Sequence, residues 1–345
     1  MDDRKSQAFS GRGKWKQHLL GTGLPLENEV AHILNRLDFE VMGEYEYQRP
    51  SSARESETFS VDVHAFSLFE DRLLKHWGQL ELLVECKHHT QDTLWVFSPH
   101  PSDESLIIGV TSVLDYMTTL QLLDRGPLET YEARLLHCVR GDLLWDGGKG
   151  GDNRTKHGLH QLWYAIPNLV FGELESQALM NHEEDLPVTF VCPILVTNAE
   201  LHILKHDTGV DEVHRAGNLA EVATPVDHLI VDRRPSPELR AYCDDLFENG
   251  IAHRPAVEQR YDAIQEAAAP HGERLVLPFT HLPYQVCDMC QKVLVIRLGH
   301  FETWVKGLQS AIKTCARGVK RVAHLERDDK RGRARVVPLE DNPGR

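Results

Sequence analysis

The sequence predicts an α/β protein in which a mixed central β-sheet is flanked by helices, with an additional C-terminal α/β region. Apolar residues at helical spacing over 25–38 are followed by three segments that have the composition of strands. Further along, a helical pattern over 157–170 precedes an apolar run over 188–196 that is typical of a buried strand. A helix followed by such a strand predicts a parallel crossover, which makes the sheet mixed.

The first helix is predicted from Pro25 to Asp38. Its apolar residues recur at helical spacing: Leu26, Val30, Ile33, Leu34 and Leu37. Glu27 borders this buried stripe, which makes it a candidate site residue. The alternative is an N-terminal acid that only complements the helix dipole. A first strand is predicted next, over 39–47.

The next two strands carry charges where an interior strand should be apolar. Asp62 lies within Phe59–Phe66, 23 positions before Glu85, and Leu80–Lys87 is apolar except for its acidic and basic residues. A hairpin across this interval would bring the two carboxylates together, with Lys87 on the same face as Glu85. Such charges cost free energy unless they are paired or bind a metal. The segment therefore predicts a divalent-metal site with an adjacent lysine, or alternatively a structural Glu–Lys pair.

The order of these residues resembles the PD-(D/E)xK, or restriction-endonuclease-like, nuclease superfamily, most closely its Mrr-like branch. Glu27 on the first helix, Asp62 on a strand and the Glu85-Cys-Lys87 triplet match the family pattern. The resemblance covers residues 21–87 closely and extends less closely to 204. No proline precedes Asp62, a departure that the superfamily often shows.

This resemblance implies that Glu27, Asp62, Glu85 and Lys87 are catalytic. Asp62, Glu85 and the backbone carbonyl of Cys86 would bind Mg²⁺, for which Mn²⁺ could substitute. Lys87 would orient or activate the attacking water, and Glu27 would hold a second ion or a metal-bound water. Helix residues Gln161-Leu-Trp-Tyr164 are similar to a Gln/Tyr motif of RecB-family nucleases, at a spacing one residue shorter. The alternative for them is a packed amphipathic helix.

The implied function is a metal-dependent DNA endonuclease in restriction or in defence against foreign DNA. The resemblance implies that the protein binds DNA and that it could also bind a partner protein of a defence system. A homodimer is favoured because cutting both strands usually requires two sites. The alternatives are a non-catalytic nucleic-acid-binding or assembly module that retains the fold, and an RNA-directed nuclease.

Composition restricts the class of protein. The chain has 345 residues, of which 41% are hydrophobic and 26% charged, as in an ordinary globular protein. No apolar run approaches the ~20 residues of a membrane span, and the basic N-terminus does not resemble a signal peptide. Seven scattered cysteines without a secretory signal indicate free thiols. We therefore expect a cytoplasmic protein that has no membrane partner.

Charge is distributed unevenly along the chain. The net charge is −14, yet residues 1–20 hold five basic against two acidic side chains, and Arg317 to Arg335 hold eight against three. Basic ends on an acidic body can contact phosphates, although solvated tails explain them equally well. The predicted organisation is a basic leader at 1–20, a nuclease domain at 21–205, an α/β region of unknown role at 206–316 and a basic tail at 317–345.

Other segments give weaker signals. Residues 88–104 resemble a loop with a short apolar segment at Leu94–Phe97. Strands are predicted near 201–204, 226–231 and 292–298, and a helix over 301–315. The glycine-rich segment 147–151 lacks the spacing of a phosphate-binding P-loop. Cys287-x-x-Cys290 has no second pair at zinc spacing, and adding Cys315 and His281 would give only an irregular zinc site.

Overall fold

The computed structural model describes most of the chain in segments. The described residues are 14–50, 56–71, 76–89, 93–100, 114–115, 121–122, 126–132, 135–145, 154–179, 188–259, 262, 279–290, 292–317, 320–321, 323–328 and 333–338. The glycine-rich segment 147–151 and most of the basic leader lie outside these ranges.

Helices and strands alternate along the chain. The helices are α1 (Lys14–Gly21), α2 (Leu24–Arg36), α3 (Gly126–Glu132), α4 (Arg154–Leu179), α5 (Val210–Arg215), α6 (Pro237–Asp245), α7 (254–259), α8 (Leu282–Met289) and α9 (Leu298–Arg317). The strands are β1 (Glu40–Pro50), β2 (Ser56–Asp71), β3 (His76–Lys87), β4 (Thr93–Pro99), β5 (Leu114–Asp115), β6 (Gln121–Leu122), β7 (His137–Trp145), β8 (Val188–Thr197), β9 (Glu200–Leu204), β10 (Ala223–Val226), β11 (His228–Asp232), β12 (Lys292–Arg297), β13 (Lys320–Arg321), β14 (Ala323–Asp328) and β15 (Arg333–Pro338).

Within the described ranges, eleven strands form one mixed sheet. Its order is β1-β2-β3-β8-β12-β11-β7-β4-β9-β10, with β5 paired to β8. Strands β1, β2 and β3 are antiparallel, whereas β3, β8 and β12 run parallel to one another. The predicted mixed α/β fold and the parallel crossover through α4 to β8 are therefore confirmed.

Helices cover both faces of this sheet. Helices α4, α6 and α8 contribute apolar side chains to a core on one face, and α2, α3 and α9 contribute to a core on the other. On β3, Leu83 belongs to the α4-side core, and Leu82 and Val84 belong to the α2-side core. The alternation of a strand therefore directs Glu85 and Lys87 towards the α4 side.

The local sequence accounts for how α2 begins and what it buries. Gly23, at the position before the helix, has a φ of +83°, in the left-handed region that favours glycine. Pro25 lies in the first turn, where its missing N–H costs no helical hydrogen bond. The buried face consists of the predicted apolar residues, among them Leu26, Val30 and Leu34. This packing fixes α2 against the end of the β2–β3 hairpin.

Two features differ from the sequence predictions. Residues 93–99 form β4 instead of part of a loop; Trp95 and Phe97 are buried and alternate with partly exposed neighbours. The apolar segment was too short to be distinguished from a loop by its pattern. In addition, β11 and β12 from the 206–316 segment are interior strands of the same sheet, so the predicted boundary at 205 does not separate two sheets. No helix in the described ranges is long and apolar enough to cross a membrane.

Candidate active site at the end of the β2–β3 hairpin

The antiparallel pairing of β2 with β3 brings Asp62 to the end of the Glu85 strand. The ladder runs from Asp71↔His76 to Val63↔Val84, and the next residue of β2 is Asp62. Its Oδ2 accepts a hydrogen bond of 2.7 Å from the backbone N–H of Cys86. The sequence prediction that a hairpin joins these two acidic segments is confirmed.

A β-bulge lies at Asp62. In the pairing of β1 with β2, Gly43 faces His64 and Tyr45 faces Val61, so Asp62 and Val63 together lie opposite Glu44. The extra residue interrupts the alternation of side chains, and Val61 therefore belongs to the α4-side core while Val63 belongs to the α2-side core. Bulges change the direction of a side chain next to a functional site. Here the bulge lies where Asp62 contacts the backbone of β3.

Glu85 is the most buried acid of the site, with 0% of its surface exposed. Lys87 Nζ donates a hydrogen bond to Glu85 Oε1, and the lysine side chain is 17% exposed. The second oxygen, Oε2, is buried and has no hydrogen-bond partner among the described residues. A buried carboxylate oxygen without a partner is costly in free energy. The residues around Glu85 therefore satisfy only one of its two oxygens.

The carboxyl groups affect each other's ionisation. Burial and the Asp62 charge raise the pKa of Glu85 to about 8, against the opposing effect of the Lys87 ammonium. Burial also raises the pKa of Asp62, against the opposing effects of the Cys86 N–H and Lys87. Burial and the Asp62 charge raise the pKa of Glu27. These mutual effects mean that the predicted site acids share one electrostatic environment.

Glu27 reaches this environment from the first turn of α2. A Cβ added to Gly23 would lie 2.8 Å from Glu27 Oε1, so the carboxylate folds back over the start of the helix. In the described part of the chain, Glu27 forms no hydrogen bond or ion pair with Asp62, Glu85 or Lys87. Its contribution to the site is therefore electrostatic in this structure.

Sequence reasoning missed Glu44. This exposed residue lies on β1 opposite the bulge, and its charge raises the pKa of both Glu27 and Asp62. An acid in a half-exposed edge strand has no distinguishing local pattern. Only the β1–β2 register shows that it adds to the negative charge of the site.

Side chains from β8 hold the end of β3 in place. Thr197 Oγ1 donates a hydrogen bond of 2.9 Å to the carbonyl of Lys87. Asn198 accepts a hydrogen bond from the N–H of His89 and donates one to its carbonyl, each of 2.7 Å. These bonds fix the backbone immediately after the Glu85–Lys87 pair, which preorganises the lysine.

Helix α4 covers the site from the other side. A Cβ added to Gly158 would lie 2.7 Å from Lys87 Cε and 3.1 Å from Glu85 Cγ. Further along the helix, Gln161 Nε2 donates a hydrogen bond of 2.7 Å to the carbonyl of Ser60, two residues before Asp62. The glycine thus permits the close approach of α4 to the lysine, and the glutamine attaches the helix to the Asp62 strand.

The donors at the hairpin end fit a hard divalent cation. Mg²⁺ is usually bound by one or two carboxylates and completes its shell with water and phosphate oxygens. Asp62 and Glu85 would supply the carboxylates, and Glu85 Oε2 has no hydrogen-bond partner among the residues that the structure describes. Burial, together with the charges of Asp62 and Glu85, raises the pKa of the Cys86 thiol, so this residue would contribute its carbonyl and not a thiolate.

The cysteines do not form the irregular zinc set considered from the sequence. Cys287 and Cys290 lie in the α4-side core, where Cys287 contacts Cys243, whereas Cys315 lies in the core on the opposite face. The sheet therefore separates the cysteines that this set would combine. In the ranges that the structure describes, no group of three His, Cys, Asp or Glu side chains is arranged to hold a metal ion.

Comparison with family models, curated proteins and solved structures finds no match to this chain, so its membership of the nuclease superfamily stays a prediction from the residues.

Proposed function

We propose that this protein is a Mg²⁺-dependent nuclease that hydrolyses phosphodiester bonds of DNA. The observation that carries the proposal is the hairpin end itself. Asp62, Glu85 and Lys87 converge there, and the deepest carboxylate keeps one oxygen without a partner among the described residues. A setting in restriction or defence against foreign DNA follows from the family resemblance alone, whereas the proposed cytoplasmic location follows from the composition of the chain.

The roles proposed for the residues follow from their chemistry. Asp62, Glu85 and the Cys86 carbonyl would hold Mg²⁺, and Mn²⁺ can take the same oxygen ligands. When bound, the cation polarises the phosphodiester and lowers the pKa of a coordinated water. Lys87 would orient the attacking water or stabilise the negative charge that develops on the phosphate oxygens.

Glu27 would accept a hydrogen bond from a water at the entrance of the site. Burial and the charges of Asp62 and Glu44 raise its pKa, which makes it a stronger proton acceptor than an ordinary surface carboxylate. An acid on an open surface lacks this burial and charge repulsion, so its pKa would not be raised in the same way.

Cleavage of supercoiled plasmid tests the proposal. Purified protein is incubated with Mg²⁺, Mn²⁺ or EDTA, and the activity must coincide with the protein peak in a final size-exclusion step. We expect nicked and linear products with either metal, none with EDTA, and competition by duplex DNA that exceeds competition by RNA.

Absence of cleavage with every metal and substrate would contradict the proposal. If Mg²⁺ and Mn²⁺ also left the thermal unfolding midpoint unchanged, the result would favour the non-catalytic nucleic-acid-binding module instead, because a ligand that binds the folded state raises its stability.

Gly158→Ala is expected to lower the cleavage rate about tenfold to a hundredfold, because a misplacement of about 1 Å near reacting groups has effects of this size. The added methyl group would displace Lys87 from its place beside Glu85. Gly172→Ala on the same helix is the control, since its added Cβ would meet nothing within 4 Å. That control should retain activity and gain up to about 1 kcal/mol of stability. Equal rates for both variants and wild type would show that α4 does not position the lysine.

A further inference from the structure

A basic and aromatic pocket lies on the α4 side of the sheet. It is formed where α4 meets the segment that leads from β11 into α6. Its lining residues are His160, Trp163, Tyr164, Arg233, Arg234, Pro235, Ser236, Leu239 and Cys290. The pocket opens to solvent, and its volume is about 40 Å³, which is room for about three water molecules. A phosphate group fits a space of this size.

The mouth of the pocket is positively charged. Arg233 and Arg234 are exposed and form no ion pair with an acid in the described part of the chain. The guanidinium of Arg49 lies 3.8 Å from the centroid of the Tyr164 ring, and that of Arg233 lies 5.8 Å from the Trp163 ring. These contacts hold the two arginines over the aromatic wall of the pocket.

One acid acts against these cations. Glu238, in the first turn of α6, interacts with Ser236 and with the charge of Arg49, and both lower its pKa. Arg233 and Arg49 also lower the pKa of His160, in the same direction as its burial. The histidine therefore experiences the positive potential of the arginines, and the carboxylate does not cancel it.

The start of α6 points to the same ligand chemistry. Ser236 precedes the helix and its Oγ accepts a hydrogen bond of 3.2 Å from the N–H of Leu239. The N-terminus of a nine-residue helix carries a partial positive charge that favours anions. It adds to the field of the arginines at the same opening.

The pocket lies near the candidate active site along one helix. Gly158 contacts Lys87 and Glu85, whereas Trp163 and Tyr164, five and six residues later, line the pocket. At 1.5 Å of rise per residue these positions are about 8–9 Å apart along α4. A separation of this order lies within the span of a few nucleotides of one DNA strand, which rises about 3.4 Å per nucleotide.

We propose that this pocket binds a backbone phosphate of the DNA strand, close to the bond that is cleaved. The proposal rests on the nuclease function proposed above. Arg233 and Arg234 would donate charge-assisted hydrogen bonds to the phosphate oxygens, and Arg49 would add to the attractive potential. The contact would set the register of the substrate on the catalytic carboxylates without reading its sequence.

The test compares two double variants that remove the same charge. Arg233→Gln/Arg234→Gln removes the pocket cations, whereas Arg36→Gln/Arg215→Gln removes two exposed arginines that are paired with Glu302 and Glu212. We expect the pocket variant to raise KM for DNA about tenfold or more, with kcat within about twofold of wild type. The slope of log Kd against log salt should also decrease by roughly 0.9, the value for one phosphate on duplex DNA.

The other possible outcomes distinguish failure of the phosphate-pocket inference from failure of the nuclease proposal. A pocket variant that matches the control in KM and salt slope, while wild type cleaves DNA, would overturn this inference and leave the nuclease proposal intact. Wild type that neither binds nor cleaves DNA would overturn both. Thermal shifts with inorganic phosphate and with dAMP provide a third arm: stabilisation by dAMP at concentrations where DNA has no effect would assign the pocket to free nucleotides and overturn the strand assignment.

Discussion

Asp62→Asn and Lys87→Met are each expected to lose at least about a hundredfold in DNA cleavage rate, because electrostatic groups aimed at developing charge contribute effects of this size. Both residues act at the same hairpin end, where Asp62 is bonded to the Cys86 backbone and Lys87 to Glu85. The variants should nevertheless fail for different reasons. Asp62→Asn removes a negatively charged metal ligand. Lys87→Met removes only the positive charge, because methionine has a side chain of similar length to lysine.

Metal binding separates the two variants. Calorimetric titration with Mn²⁺ should show weakened metal binding for Asp62→Asn. It should show equal or tighter binding for Lys87→Met, because the lysine ammonium no longer competes with the metal for Glu85. Glu29→Gln, on the exposed side of α2, is the matched control and should cleave like wild type. Full cleavage by Lys87→Met would show that the lysine has no role in the mechanism. Full cleavage by Asp62→Asn would show that this is not the active site.

Glu85→Gln is expected to abolish cleavage and yet stabilise the metal-free protein at pH 7–8. Burial and the Asp62 charge raise the pKa of Glu85 from its ordinary value of 4.5 to about 8. Between these two values the folded state retains a proton that the unfolded state releases. Stability is therefore fully present below about pH 4.5 and is lost as the pH rises towards 8. The rise of the pKa from 4.5 to about 8 corresponds to roughly 5 kcal/mol.

Denaturant unfolding in EDTA at pH 5, 6, 7 and 8 measures this effect. The wild type should lose stability with rising pH over this range, and the Gln variant should have a flatter profile and exceed it by roughly 2–4 kcal/mol at pH 8. Glu81→Gln is the control on the same strand. Glu81 is also buried, but its oxygens have partners in His64 and Gln79, so its replacement should destabilise the protein. A Glu85→Gln variant less stable than wild type at pH 8 would show that the ionised Glu85–Lys87 pair stabilises the fold.

This combination of lost activity and gained stability distinguishes a functional acid from a structural one. A Glu–Lys pair that served the fold would weaken it when broken, because the remaining charge would be buried without a partner. An acid retained for metal binding stores unfavourable energy that the metal offsets. The stability measurement therefore tests the structural Glu–Lys alternative without relying on enzyme activity.

Local patterns were sufficient for the features that depend on nearest neighbours in the chain. The period-two spacing of Glu85 and Lys87 predicted that they share a face, and the Lys87 ammonium is in hydrogen-bond contact with the Glu85 carboxyl group. The apolar stripe of α2 and the buried run of β8 predicted a helix and an interior strand that the structure contains. The hairpin that joins Asp62 to the Glu85 strand was predicted because few residues separate two strand-like segments.

Local patterns were insufficient wherever a third segment decides the arrangement. The bulge at Asp62 depends on the β1 register, and the strand identity of residues 93–99 depends on pairing with β7 and β9. The spacing of Cys287 and Cys290 left only an irregular zinc set open, and it is the sheet that separates this set, by placing Cys315 on its other face. In each case the missing information is the position of a segment that is distant in sequence.

The sequence by itself determined the α/β class, the order of the first helix and hairpin, and the presence of two acids and a lysine near one strand end. These follow from hydrophobic periodicity and from charges placed where a buried strand should be apolar. Only the tertiary structure decided that one Glu85 oxygen has no partner in the described part of the chain, that Glu44 adds its charge, and that Gly158 brings α4 onto Lys87. Burial and charge coupling are properties of the packed molecule, because they depend on which distant segments exclude water from a group.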